Sequence, residues 1–186
     1  MNFSSQLIVQ CLYFFLPAYF ANMTPPVLRF LGIAEFLNKP VDGGRKFRGK
    51  DIFGDHKTWR GLILGTLVGF LIYVVQKLLY VADFFQAVSI LDYSREPLWL
   101  GILIPLGALC GDLLFSFIKR RIDLEPGESW IIWDQINYVI GVGFVFLLIG
   151  KLADIRIWVI LLVFTFILHV IINKIGFYLK INRAEW

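Results

Sequence analysis

The chain has 186 residues, 58% of them hydrophobic, and a formal net charge of +4. Soluble domains run at about 45–50% apolar, so the composition excludes an ordinary water-soluble domain and points to the bilayer. Two cysteines (Cys11 and Cys110) and two histidines exclude a disulfide framework and a zinc cluster.

A membrane-crossing helix needs about 20 mostly apolar residues. Stretches at about 4–22, 59–82, 97–118, 130–150 and 155–178 qualify. They predict an all-α integral membrane protein with about five transmembrane helices, folded as one domain over residues 1–186. The first stretch has no basic residue ahead of its apolar core, so it reads as a retained helix and not as a signal peptide.

Basic residues set the expected orientation. Arg29, Lys39, Arg45, Lys46, Arg48, Lys50, Lys57 and Arg60 lie in or beside loop 23–58. Lys119, Arg120 and Arg121 open loop 119–129, and Lys174, Lys180 and Arg183 lie near the end. The other side carries Lys77, Arg95, Lys151 and Arg156. By the positive-inside rule the N-terminus is outside, the C-terminus is cytoplasmic, and both long loops face the cytoplasm.

The first of these loops begins with VLRFLGIAEFLN, mildly amphipathic, which either lies in the interface or simply connects. KPVDGGRKFRGKDIFGDHKT follows, with Gly43, Gly44, Gly49 and Gly54. Glycines let backbone amides approach an anion closely, and Arg45, Lys46 and Arg48 would suit phosphate. Positive-inside topology alone would also place cations here. In the second span, Gly61, Gly65 and Gly69 form a stripe of small residues fit for close helix packing.

Ionisable groups in spans are costly and point to function. Asp112 lies in GALCGDLLFSFIKRR, about 10 Å along a helix from the basic end. Asp134 lies in ESWIIWDQINY, at a similar shallow depth on the next span. Two carboxylates brought together repel unless a cation joins them, and Mg²⁺ takes oxygen ligands shared with substrate phosphates. Alternatively each aspartate pairs locally, for instance with Lys119 or Arg120. Ser116 shares the face of Asp112 and either touches a ligand or bonds back to its own helix. His169 reads as an interhelical hydrogen-bond partner. No charged residue lies near a midplane, which argues against an ion pathway.

These residues resemble a known family. KTWRG (Lys57–Gly61), GD-x3-S-x2-KR (Gly111–Arg120), PG (Pro126, Gly127) and DQ (Asp134, Gln135) resemble the integral-membrane CTP-transferases that make CDP-activated lipids. PAYFANMTP and PVDGGRKFRGKDIFGDHKTWRG bring the chain closer to the CDP-archaeol synthase family than to phosphatidate cytidylyltransferase, over roughly residues 17–145. Asn137 stands where the family commonly has a second acid, and His56 where a small residue is usual. Asn137 can offer a carbonyl oxygen but no charge.

The resemblance implies a multi-pass cell-membrane enzyme with its site on the cytoplasmic side. CTP and an isoprenoid glycerol ether phosphate would give CDP-archaeol and pyrophosphate. Asp112 and Asp134 would hold Mg²⁺, with Lys57 and Lys119 completing the catalytic set. Asp42, Gly43, Gly44, Arg45, Lys46, Arg48, Thr58, Arg60, Ser116 and Arg120 would contact substrate. Other readings are a phosphatidate cytidylyltransferase acting on ester lipids, or a small transporter or scaffold without chemistry. No reading has a nucleic-acid partner.

Overall fold

Prolines shape the first helix, α1 (Ser5–Leu31), in this computed structural model, which describes residues 4–125, 128–151 and 154–179. The PG motif at Pro126 and Gly127, and Lys180 and Arg183, lie outside the described residues. Ser4 caps α1, accepting from the Leu7 amide at 3.2 Å, and Gly32 ends it at φ 64°. Pro17, Pro25 and Pro26 all sit inside the helix. Each lacks an amide hydrogen and so leaves the carbonyl four residues earlier without its helical partner. For Pro17 that carbonyl belongs to Tyr13, and the Gln76 side-chain amide donates to it from α2.

The helix therefore runs past the expected end at residue 22, and the first long loop begins at Gly32 rather than at 23. Packing overrides the tandem prolines: Pro25 lies 3.2 Å from the point where Gly61 would carry a Cβ. Part of the amphipathic VLRFLGIAEFLN segment is thus the last turn of α1, and Glu35–Leu37 is a short 3₁₀ helix.

Helix α2 (Trp59–Leu79) buries Gly61, Gly65 and Gly69, as the stripe of small residues predicts. A Cβ on Gly65 would stand 2.9 Å from the Ala21 carbonyl, and one on Gly69 2.4 Å from Pro105 Cβ. After the short α3 (Asp83–Ala87), α4 (Leu100–Arg121) and α5 (Trp133–Leu148) meet at a tighter seam. A Cβ on Gly141 would lie 2.2 Å from the Gly107 carbonyl and 2.8 Å from Gly111 Cα, so the two backbones touch. Helix α6 (Ile155–Tyr178) closes the bundle.

Among the described residues, four helices (α1, α2, α4 and α6) are long and apolar enough to cross a membrane. The expected span at 130–150 is the shorter α5, with 16 residues. At 1.5 Å per residue it covers about 24 Å of an apolar layer about 30 Å thick. Asp134 lies in its first turn. Phe14, Phe15, Tyr73, Leu100, Ile104, Val142 and Phe146 fill the centre. Leu67, Leu71, Ile102, Leu114, Phe144, Val163 and Ile167 face outward, as a lipid solvent requires.

One small element breaks the helical pattern. Strands β1 (Lys46–Phe47) and β2 (Lys50–Asp51) pair antiparallel around Arg48 and Gly49, at φ 53° and 79°. Positive φ at both turn residues matches the twist of a two-residue hairpin.

Candidate active site

The site is built where the first long loop returns to α2. Residues flanking the loop pair across its neck: the Val41 amide donates to the Lys57 carbonyl at 2.8 Å, and the Trp59 amide to the Lys39 carbonyl at 3.0 Å. Thr58 then caps α2, its hydroxyl accepting from the Gly61 amide at 3.3 Å. This fixes Lys57 at the helix mouth, pointed inward. Its Nζ reaches Asp112 Oδ2, on α4, at 2.5 Å.

The second carboxylate is held by a matching lysine. Lys119 Nζ donates to Asp134 at 2.9 and 3.1 Å and to the Glu128 carbonyl. The Trp130 amide also donates to Asp134 Oδ2, at 2.7 Å. Ile132, at φ 76°, turns the chain sharply into α5 just ahead of Asp134. That region is strained for a β-branched residue, and such strain gathers at functional sites.

These groups line one cavity of about 600 Å³. Lys57, Thr58, Asp112, Ser116, Lys119, Arg120 and Asp134 all reach it. Ser116 donates back to the Asp112 carbonyl at 2.8 Å, the self-bonding alternative. Arg120 is 6% exposed, and its Nε and Nη1 are buried without a hydrogen-bond partner. A desolvated guanidinium with open donors needs an anion.

Other expected site residues are placed elsewhere. Arg60 does not line the cavity; its guanidinium is buried and donates to Glu35 and to the Ile33 carbonyl. It fastens the segment after α1 instead. Gly43, Gly44, Arg45, Lys46 and Arg48 are exposed on the hairpin and its approach, outside the cavity wall. Asp42 acts on the loop itself, accepting from the Gly44 amide at 2.9 Å and the Phe53 amide at 3.0 Å. Arg121 docks the hairpin onto α4, donating to the carbonyls of Phe47 (2.9 Å), Lys50 (3.4 Å) and Asp51. Its guanidinium also sits over the Phe47 and Phe117 rings, at 5.4 and 4.8 Å.

The sequence reading missed several wall residues: Asn22, Arg29, Gln135 and Asn173. Asn22 lies within the PAYFANMTP segment, and a lone amide in an apolar helix is a usable signal. Arg29 counted only toward topology. Asn137 donates to Asp112 Oδ1 at 3.3 Å, which links it to the other helix's carboxylate. The side-chain oxygens of Asn137 and Gln135 are buried without a partner.

Asp112, Asp134, Gln135 and Asn137 all line this cavity, and their side-chain oxygens are the ligand type taken by a hard cation that keeps several waters. Among the described residues, no group of three or more His, Cys, Asp or Glu side chains is placed to hold a metal ion. The fit therefore rests on a carboxylate pair and amide oxygens, and it suits Mg²⁺ rather than zinc.

A second cavity of about 690 Å³ adjoins the first. It lies between α1 and α6 and is walled by Val9, Leu12, Leu16, Phe20, Val27, Leu168 and Ile172. Asn22, Pro26, His169 and Asn173 line both cavities, so the charged chamber and the apolar groove share a wall.

A charged chamber sunk into an apolar helical bundle defines a multi-pass intramembrane enzyme. Comparison with known proteins narrows that class: the family model for CDP-archaeol synthase (CarS-like) matches residues 4–186. The chain belongs to the CDP-archaeol synthase family. It is 38% identical over 178 residues to the CDP-archaeol synthase of Methanosphaerula palustris, covering 92% of this chain and 99% of that one. It is 39% identical over 135 residues to that of Pyrococcus furiosus, 72% of each chain. A solved intramembrane enzyme for archaeal membrane lipid biosynthesis superposes with a TM-score of 0.70 at 29% identity, over 89% of this chain and 94% of that one.

Proposed function

We propose that this chain is a CTP:lipid-phosphate cytidylyltransferase that forms CDP-archaeol and pyrophosphate from CTP and an isoprenoid glycerol diether phosphate. One observation carries the reading: the charged cavity and the apolar groove share Asn22, Pro26, His169 and Asn173. A single molecule with a phosphate head and long apolar tails fits across that junction. The positive-inside rule applied to the basic loops supports a reaction at the cytoplasmic face of the cell membrane, where CTP would arrive from water.

In the reaction an oxygen of the lipid phosphate attacks the α-phosphorus of CTP. The new P–O bond forms as the bond to the β-phosphate bridging oxygen breaks, and pyrophosphate leaves. Such transfers need positioning and charge neutralisation more than a protein nucleophile. Arg120 grips phosphate with its unpartnered Nε and Nη1. Lys57 and Lys119, each already against a carboxylate, turn their ammonium groups to the polyphosphate. Asp112 and Asp134, with the Asn137 and Gln135 oxygens, are the residues that would hold Mg²⁺. When bound, the ion supplies charge neutralisation at the phosphate oxygens. Arg45, Lys46 and Arg48, exposed outside the cavity wall, add positive potential that would draw a polyanion.

The test is direct. Purified protein in detergent is incubated with CTP, Mg²⁺ and either digeranylgeranylglyceryl phosphate or diacyl phosphatidic acid, and CDP-lipid is read by mass. The expected result is product from the diether, lost in Asp112→Asn and Asp134→Asn. Product from the diacyl lipid alone would assign the ester-lipid reaction instead. No product from either would overturn the transferase reading.

A further inference from the structure

Strands β1 and β2 sit on a face of α4 that the candidate active site does not use. Asp112, Leu113, Ser116, Lys119 and Arg120 line the charged cavity. Cys110, Leu114, Phe117 and Arg121, spaced by four, three and four residues, form a stripe along nearly the opposite side of the helix. Cys110 and Leu114 are exposed, so the stripe is turned toward lipid. The hairpin is seated on its last two residues. The Phe47 ring lies 6.3 Å from that of Phe117, and Arg121 donates to the carbonyls of Phe47, Lys50 and Asp51. Lys50 adds an ion pair of 2.5 Å to Asp123, just past the helix. None of residues 43–51 lines the cavity. The hairpin is thus fastened at the rim of the bundle, where the lipid-facing stripe ends.

Its outer surface joins positive charge to one aromatic ring. Arg45, Lys46, Phe47 and Arg48 are all exposed. The guanidinium carbons of Arg48 and Arg121 each lie 5.4 Å from the centre of the Phe47 ring. Asp51 stands 3.8 Å from Lys46, a loose pair, and Asp123 is taken by Lys50, so positive charge is left in excess. We propose that this hairpin is a docking surface for the anionic headgroups of the surrounding leaflet, distinct from the site of the reacting lipid. Arg45, Lys46 and Arg48 pair with headgroup phosphates, and Phe47 sits at the polar–apolar boundary, where amphipathic and aromatic groups gather. The stem of Arg121 runs along Phe117 while its head stays at headgroup level. From the hairpin the chain continues through Phe53 and Gly54 to Lys57, all on the cavity wall. Headgroup contact therefore steadies the segment that delivers Lys57.

The test measures amide hydrogen exchange of the full chain in nanodiscs. One set holds only lipids with a neutral phosphocholine headgroup; the other includes lipids with an anionic phosphoglycerol headgroup. Exchange across residues 45–51 is expected to slow by about fivefold or more in the anionic discs, since each cation near such a surface gains several-fold in binding. Exchange along α5 should be the same in both and serves as the check on folding. Raised salt should cancel the protection in the wild-type protein, which needs no substitution. Arg45→Gln, Lys46→Gln and Arg48→Gln combined should abolish it, and Phe47→Ser should remove part. Equal exchange in the two discs overturns the proposal. So does equal protection from soluble glycerol phosphate or CTP added to neutral discs, which would make the hairpin a binder of free phosphates or a wall of the nucleotide site.

Discussion

Lys57 Nζ lies 2.5 Å from Asp112 Oδ2, across 55 residues of sequence and from one helix mouth into the flank of another. The pair is only partly shielded, with side-chain exposures of 26% and 24%. Its carboxylate also accepts from Asn137, so three elements converge on one group. Replacing Lys57 by Met leaves a partly buried carboxylate without its cation. This should lower kcat at least a hundredfold, as for a lost charge-stabilising donor, while destabilising the fold by about 1–3 kcal/mol. Steady-state kinetics and thermal unfolding in detergent separate the two effects; a kcat within threefold of wild type would remove Lys57 from the chemistry.

Chelation bears on the oxygen donors. Incubation with EDTA should abolish CDP-lipid formation and added Mg²⁺ should restore it, because Asp112 and Asp134 cannot both be neutralised by lysines while those lysines hold phosphates. Zn²⁺ should restore little with such an oxygen set. Activity that survives exhaustive chelation would rule out the metal role.

The α4–α5 seam makes a sharp comparison. Gly141→Ala places a methyl group 2.2 Å from the Gly107 carbonyl, whereas Gly143→Ala meets Trp158 at an ordinary 3.5 Å. The first change should cost about 2–3 kcal/mol or more through forced separation of two backbones. The second should be neutral or stabilising by up to about 1 kcal/mol, from helix propensity. Unfolding midpoints of the two variants in one detergent give the answer; equal midpoints would contradict the seam.

Gln76 and Pro17 form a testable couple. Gln76→Leu strips the donor from the Tyr13 carbonyl and should cost about 1–3 kcal/mol. Pro17→Ala restores an amide able to serve that carbonyl, so the penalty for losing Gln76 should fall in its background. A double-mutant cycle measures the coupling, and strict additivity would show that the contact carries no energy.

Arg121 is the hairpin's anchor. Arg121→Ala should raise amide exchange across residues 46–51 by about tenfold or more, since three carbonyl contacts and two ring contacts vanish together. Arg121→Lys should not rescue it, because an ammonium lacks the planar fork. Exchange rates equal to wild type would show that the hairpin is held by its own turn.

Much of this was legible in the sequence because the bilayer leaves so few options. Apolar runs read as helices, and Gly61, Gly65 and Gly69 read as packing because a small-residue stripe at helical spacing has one common use. Asp112 and Asp134 stood out because charge in an apolar run demands a reason, and Lys57 and Lys119 through the motifs that carry the family resemblance. What escaped depended on partners distant in sequence. Arg60 looked like a substrate ligand until Glu35 was seen to occupy it. The prolines looked like the end of the first span, because local rules cannot show that Gln76 and Gly61 wait on the neighbouring helix. Gly107, Gly111 and Gly141 reveal their purpose only as a set from two helices. The apolar groove could not be read at all, since its walls differ from lipid-facing residues only in which way they face.

The seam between α4 and α5 also decides where the protein can give way. Asp112 stands one residue from Gly111, and Asn137 donates to it from the facing helix. With backbone against backbone there is no side chain to repack, so the two helices behave as a single rigid rail. Asp112 and Asn137 are thus mounted on the pair of helices with the least room to shift, while the apolar groove is walled chiefly by α1 and α6.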